Sequence, residues 1–303
     1  MGSCKKDDDA PGEVVPPRLL SEVAIEDDAE IVTFLKTHFY NVEEFENASE
    51  GFDYKIKFDT IAGANSTKES LFDSPNLVTE SISVASSNFG RDDGEVVDHK
   101  LYTLIVRQGE GEVPTIGDNS FLQYEGLLLS GKLFDGATNQ PVRFYLGDPG
   151  LRVGFAQAML KLHTGVGPVE NGDGTLSYSD YGIGAVFMPS GLAYFSQSAG
   201  SIPAYSPLIF KLDALDYEPN TDIDGDGIPS ILEDLNNDGN LNNDNTDEDS
   251  EPINGRVPNH YDADDDNDGI PTRDEINLDA NGNFVSFKDT DGDGVPDHLD
   301  NDL

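Results

Sequence analysis

The chain has 303 residues, with 59 acidic side chains against 18 basic ones and a net charge of −41, so no basic stripe exists to neutralise phosphates and nucleic acid is argued against as a partner. A single cysteine, Cys4, excludes an intramolecular disulfide, and no apolar run approaches the roughly 20 residues a membrane-crossing helix needs. Charge is uneven: residues 219–303 carry 25 acids and 3 bases, a net of −22, leaving −19 for the other 218 residues.

The opening Met-Gly-Ser-Cys4-Lys5-Lys6-Asp7-Asp8-Asp9 lacks the apolar core of a signal peptide, so the chain reads as trimmed near its mature start. Residues 1–21 then form a polar, Pro-rich linker. Cys4 in this setting resembles the acylated cysteine of a bacterial lipoprotein, and the Lys5–Asp9 run resembles the export signal that sends Bacteroidota lipoproteins to the outer face of the outer membrane. The resemblance implies membrane attachment through a lipid on Cys4, facing the cell exterior, with the periplasmic face as the alternative. A stray cysteine beside a solvated charge run is the structural alternative.

Residues 22–97 form a small N-terminal α/β region. Ile31, Leu35 and Phe39, behind Asp27, Asp28 and Glu30, predict a helix over 27–40, and Tyr54, Ile56 and Phe58 alternate as a strand does. The region offers no chemistry of its own; packing against the next domain or binding a partner is its expected role.

Residues 98–218 read as strands, one helix and a final strand. Asn119-Ser-Phe-Leu-Gln-Tyr124-Glu-Gly126, Phe134-Asp135, Pro141-Val142-Arg-Phe144, Leu151-Arg152-Val-Gly154-Phe155, Pro189-Ser-Gly-Leu-Ala193-Tyr194, Ile202-Pro203 and Pro207-Leu-Ile-Phe210 follow one another in the order and spacing of the FKBP-type peptidyl-prolyl isomerases, which this segment resembles. The resemblance covers about 120 residues. It implies an α+β fold, an antiparallel half-barrel sheet wrapped on one helix. It also implies a proline pocket lined by Tyr124, Phe134, Val142, Leu151, Phe155, Ile202 and Phe210. Asp135, Tyr194 and the backbone N–H of Arg152 would be polar contacts at the pocket edge.

The chemistry follows from the bond. An X-Pro amide has a barrier of about 18–20 kcal/mol because its C–N bond is partly double. Twisting it localises the nitrogen lone pair and weakens the carbonyl dipole, so a dry aromatic pocket favours the twisted state without nucleophile, metal or cofactor. Taken singly, the aromatics read as core residues of a small half-barrel.

Several positions depart from the family pattern. Phe155 stands where a tryptophan is usual, Val142 where a phenylalanine is, Arg152 where an aliphatic residue is expected, and Ser201 precedes Ile202 where a second aliphatic belongs. The 195–200 loop lacks the usual histidine. An insertion over about 166–183 is either a client-binding flap or an inert loop. Two functions follow: a surface isomerase and chaperone for proline-containing clients, or a catalytically weak scaffold in an outer-membrane protein complex.

Residues 219–303 repeat a ladder. Carboxylates stand at positions 1, 3 and 5 in Asp222/Asp224/Asp226, Asp264/Asp266/Asp268 and Asp289/Asp291/Asp293, with glycine at position 6 and Glu233, Glu275 or Asp300 at position 12. Ile228, Ile270 and Val295 hold position 7, which contributes a backbone carbonyl. This is calcium-loop spacing: alternate oxygens turn inward, the glycine allows the bend, and the last acid closes the shell. A disordered acidic tail is the bland alternative. Proline at position 8 of all three loops resembles thrombospondin type 3 repeats. No helical periodicity flanks the loops, so no EF-hand pair is expected. Structural calcium, an extracellular ion at such levels, is the expected cofactor.

Overall fold

The computed structural model describes residues 18–252 and 255–301. Cys4 and its charged neighbours lie outside them. No helix among the described residues is long and apolar enough to cross a membrane.

The first helix, α1, spans Leu20–Thr37, starting seven residues before the expected helix and ending three short of it. Leu20 and Val23 extend the stripe of Ile31, Phe34 and Leu35 backwards, so Asp27 is mid-helix and buried rather than in a first turn. Phe39 falls in β1 (His38–Tyr40), which is followed by α2 (Val42–Glu46). β1 pairs with β2 (Phe58–Thr60). The expected strand through Tyr54 and Ile56 does not form: Tyr54 has φ of +51°, a left-handed conformation incompatible with a strand.

Six strands make one antiparallel sheet: β3 (Leu77–Ala85), β4 (Val96–Arg107), β5 (Asn119–Leu128), β6 (Leu133–Tyr145), β9 (Gly182–Met188) and β10 (Leu208–Glu218), in the order β3-β4-β9-β10-β5-β6. Between β6 and β9 come α3 (Val153–Met159) and a hairpin of β7 (Val166–Glu170) and β8 (Leu176–Ser179). That hairpin is the insertion expected over 166–183. β3 comes from the stretch that the sequence assigns to the N-terminal region, so the sheet runs through the boundary drawn at 97/98.

Both faces of the sheet are covered. Along β9, Val186 and Met188 face the cluster built on α3, while Ile183, Ala185 and Phe187 face the one built on α1. All seven β9 residues are therefore buried, which explains their unbroken small and apolar run. Phe187 meets Phe34 of α1 at 5.7 Å and Phe58 of β2 at 5.6 Å, so the N-terminal region roofs the face opposite α3.

The acidic module contains no α-helix among the described residues. It has 3₁₀ turns, at Ser230–Glu233, Leu241–Asn243, Asn259–Tyr261, Thr272–Asp274 and Asp297–Leu299, and a hairpin of β11 (Ile276–Leu278) and β12 (Phe284–Phe287). It is seated on the sheet domain: Asn119 N–H donates to Thr221 Oγ1 at 3.0 Å, and Asn242 Nδ2 donates to Gly147 O at 3.0 Å. A methyl added to Gly117 would fall 2.4 Å from the backbone nitrogen of Ile231, so this contact requires glycine.

Candidate functional site: an aromatic pocket beside a carboxylate-lined module

Strand register builds the pocket. Phe210 of β10 pairs with Gly126 of β5, which pairs with Asp135 of β6. Gly126 is there because the rings on either side close over it: an added Cβ would lie 2.6 Å from Phe134 and 3.0 Å from Phe210. Those two rings meet edge-on at 5.4 Å.

Phe155 of α3, 3% exposed, forms the floor. Its ring stands edge-on to Tyr124 at 5.9 Å, Phe144 at 5.5 Å and Phe210 at 5.1 Å. Phe144 was not among the expected pocket residues, although its alternation with Val142 along β6 is the signal that places both on one face. Phe144 restores an aromatic ring to the wall that Val142 opens. Leu151, Tyr194 and Ile202 pack against the same cluster.

Polar groups stand at the rim. Tyr124 Oη donates to Asp135 Oδ2 at 2.8 Å, and Asp135 Oδ1 accepts Gly136 N–H at 2.9 Å. Burial, then this bond to a carboxylate, pushes the Tyr124 hydroxyl up to about 12. The Arg152 side chain, not anticipated as a contact, lies over the Tyr194 ring, 4.9 Å from its centroid, and Nη1 donates to Ala193 O at 3.3 Å. Behind Tyr194, Phe195 holds φ at +46°, its ring wholly buried between Phe89 and Tyr205. Packing thus holds an unfavourable backbone conformation that sets the direction of Tyr194. Ala199 and Ile202 exchange backbone bonds of 3.0 and 2.9 Å, closing the turn that brings Ile202 inward.

The Tyr194 loop is also held from outside. Asp27 of α1 accepts Ser190 N–H at 2.7 Å and Ser190 Oγ at 2.6 Å. Burial pushes the Asp27 carboxyl up to about 6.

The acidic loops share a bonding pattern. In the first, Gly225 and Gly227 N–H donate to Asp222, Asp226 N–H to Asp224 and Ile228 N–H to Asp226, at 2.7–3.1 Å. In the third, Gly292 and Gly294 donate to Asp289, Asp293 to Asp291 and Val295 to Asp293. In the second, Ile270 donates to Asp268 at 2.6 Å. Gly227, Gly269 and Gly294 take φ of +107°, +97° and +101°, the conformation for which position 6 needs glycine. The prolines at position 8 each precede a 3₁₀ turn, and the acid at position 12 is the last residue of that turn in the first loop and its C-cap in the second and third.

Carboxylate oxygens converge as the spacing predicts in Asp222/Asp224/Asp226, Asp264/Asp266/Asp268 and Asp289/Asp291/Asp293. Glu233 joins Asp226 and a residue the register does not contain, Asp265 of the second loop. All three are 2% exposed, and both oxygens of Glu233 and of Asp265 are shut from water without a donor among the described residues. Burial, then neighbouring aspartates, pushes Glu233 up to about 11 and Asp265 up to about 9. Such an arrangement fits a hard cation, and no basic side chain among the described residues pairs with these carboxylates. Glu275 Oε2 is likewise buried and without a donor among the described residues, whereas the third loop's acids are exposed; neither Glu275 nor Asp300 joins the converging cluster of its own loop.

A model of the FKBP-type peptidyl-prolyl cis-trans isomerase family matches residues 110–215. FK506-binding protein 1 of Dictyostelium discoideum is 27% identical over 116 residues, 38% of this chain and 94% of that protein. FkpA of Escherichia coli K12, an FKBP-type isomerase, is 27% identical over 121 residues, 39% of this chain and 38% of its own length. The crystal structure of Escherichia coli FkpA aligns at 26% identity over 45% of this chain and 52% of that one, with a TM-score of 0.32. By that family match, residues 110–215 are an FKBP-type domain, of the peptidyl-prolyl cis-trans isomerase class of enzyme. A second family model, described as BamM C-terminal, matches residues 223–288 of the acidic module.

Proposed function

We propose that this chain is a peptidyl-prolyl cis-trans isomerase that acts on proline-containing protein clients at the bacterial outer membrane, as part of an outer-membrane assembly complex. The observation that carries the reading is the ring box around Phe155, rimmed by Tyr124–Asp135 and Tyr194. A prolyl ring entering it meets aromatic faces on three sides, while its amide carbonyl lies toward the tyrosine at the rim. The box binds the twisted amide better than the planar one because it is dry, and it needs no bond-making group. The link to an assembly complex is supported by the BamM C-terminal match.

Calcium bound by Asp222, Asp224, Asp226, Glu233 and Asp265, and by the second and third loops, supplies the positive charge that lets the module fold. A lipid on Cys4 supplies the membrane attachment, with the domain facing the cell exterior.

NMR exchange spectroscopy of a short Phe-Pro peptide tests the activity. Exchange accelerated by the wild type and reduced at least about tenfold, ~1.4 kcal/mol of barrier, by Phe155→Ala is the expected result. Binding without acceleration overturns it in favour of a proline-reading scaffold. Cys4→Ala should release the protein from membranes; full retention would refute the anchor.

A further inference from the structure

Outside the three twelve-residue loops, Asp247, Glu251 and Asp262 converge, one carboxylate oxygen of each lying within 4.8 Å of the other two. Their spacing fits no loop register. They come from the excursion between the first and second loops, which the repeat pattern leaves without a function. Asp247 is only 7% exposed. Its Oδ2 accepts Ser250 Oγ at 3.1 Å, while Oδ1 is shut from water with no donor among the described residues.

Asn245 lies alongside, donating Nδ2 to Glu251 Oε2 at 2.9 Å, and its own Oδ1 is buried and without a donor among the described residues. The nearby base, Arg256, turns instead to Glu248. Three converging carboxylates, with an amide oxygen alongside and no nitrogen or sulfur ligand, suit a hard divalent cation, and so many protein oxygens favour calcium over magnesium, which keeps most of its waters.

We propose that Asp247, Glu251 and Asp262, with the amide oxygen of Asn245, form an additional calcium site that closes the 245–262 excursion. Its consequence is positional. Asp262 directly follows the Asn259–Tyr261 turn, and the rings of His260 and Tyr261 each stand 5.9 Å from Tyr145 at the end of β6. Asn259 in turn accepts Thr246 N–H through Oδ1 at 2.9 Å and donates Nδ2 to Thr246 Oγ1 at 2.9 Å. The ion therefore staples the turn that seats the module on the isomerase domain. The site rests on the calcium reading of the module.

Equilibrium dialysis of the full chain against calcium tests it. Asp247→Asn combined with Glu251→Gln should bind one ion fewer than the wild type, and adding Asp262→Asn should remove no further ion. An unchanged count overturns the site and leaves the loops standing, whereas a wild type that binds no calcium overturns both. A second measurement changes no carboxylate: the chain has no tryptophan, so terbium emission is sensitised by tyrosine, and Tyr261 adjoins Asp262. Tyr261→Phe should lower that emission, and the same component should be missing from the double variant; emission unchanged by Tyr261→Phe overturns the proposal.

Discussion

The sheet domain and the acidic module reach the same depth of burial with opposite side chains. Around α3 the fully enclosed groups include Leu101, Met159, Leu162 and Leu208, which gain by leaving water. In the module they include Asp226, Glu233 and Asp265, which lose by leaving it unless a cation takes the place of the solvent. The first closes over its own apolar side chains; on the calcium reading proposed above, the second folds as a complex with its ions. Ile231 and Leu241 join the apolar cluster of the sheet domain, so the two principles meet at one seam.

Chelation should break this contrast most visibly. With calcium removed, amide hydrogen exchange over 222–233 and 264–275 should rise toward that of an unfolded chain, while β9 and β10 stay protected. Equal protection with and without chelator would mean that the buried carboxylates are stabilised by something else. On the apolar side, Phe155→Ala should cost about 3–5 kcal/mol of stability in urea unfolding, because it empties the centre of the ring box.

Gly126→Ala should cost ~1–3 kcal/mol by driving a methyl into Phe134 and Phe210, and should weaken peptide binding in the same titration. No loss would show that the two rings can part freely.

Acid sharpens the comparison through two buried groups, His99 on β4 of the sheet and Asp27 on α1 of the region that roofs it. Burial holds His99, 2% exposed with its ring against Gly191, down to about 4. Between pH ~4 and ~6.5 the unfolded chain binds that proton and the folded one does not, so stability from neutral His99 is complete above pH 6.5 and lost as pH falls toward 4. Asp27, raised from 3.8 to about 6, acts in reverse: its contribution is present below pH 3.8 and lost as pH rises toward 6. The two slopes largely cancel in the wild type. His99→Gln should therefore leave a calcium-saturated protein whose unfolding free energy, relative to wild type, falls between pH 4 and 6, and Asp27→Asn one in which it rises. Parallel profiles for both variants would refute the assignment.

The smallest effect belongs to Tyr124→Phe, which removes one rim hydrogen bond to Asp135 worth about 0.5–1.5 kcal/mol and keeps the ring. Peptide exchange should slow by no more than about tenfold, and a complete loss would assign the hydroxyl a direct part in the reaction.

The ring box was legible because Tyr124, Phe134, Phe155 and Phe210 recur in order with Asp135 and Tyr194, and alternation along a strand fixes which of them share a face. Phe144 follows the same rule: it alternates with Val142 along β6 and shares its face, so its place in the box is also encoded in the period-two pattern. The start of α1 is less legible, because charges at 26–28 interrupt a stripe that continues through Leu20 and Val23 on the buried side. Tyr54 and Ile56 alternate as a strand does, yet the turn at Tyr54 serves the packing of Phe45 and Phe52 against it.

By itself the sequence determined what is local. Asp and Gly at fixed steps dictate a loop whose amides bond back to its own carboxylates, and period-two alternation dictates which strand residues face the pocket. Only the tertiary structure decided that Asp265 serves the first loop, that Asp247, Glu251 and Asp262 meet, that Asp27 holds the loop of Tyr194, and that the N-terminal region roofs the second face of the sheet. Those groupings span from 15 residues, Asp247 to Asp262, to 163, Asp27 to Ser190, and such contacts are selected by the burial of whole surfaces rather than by any spacing along the chain.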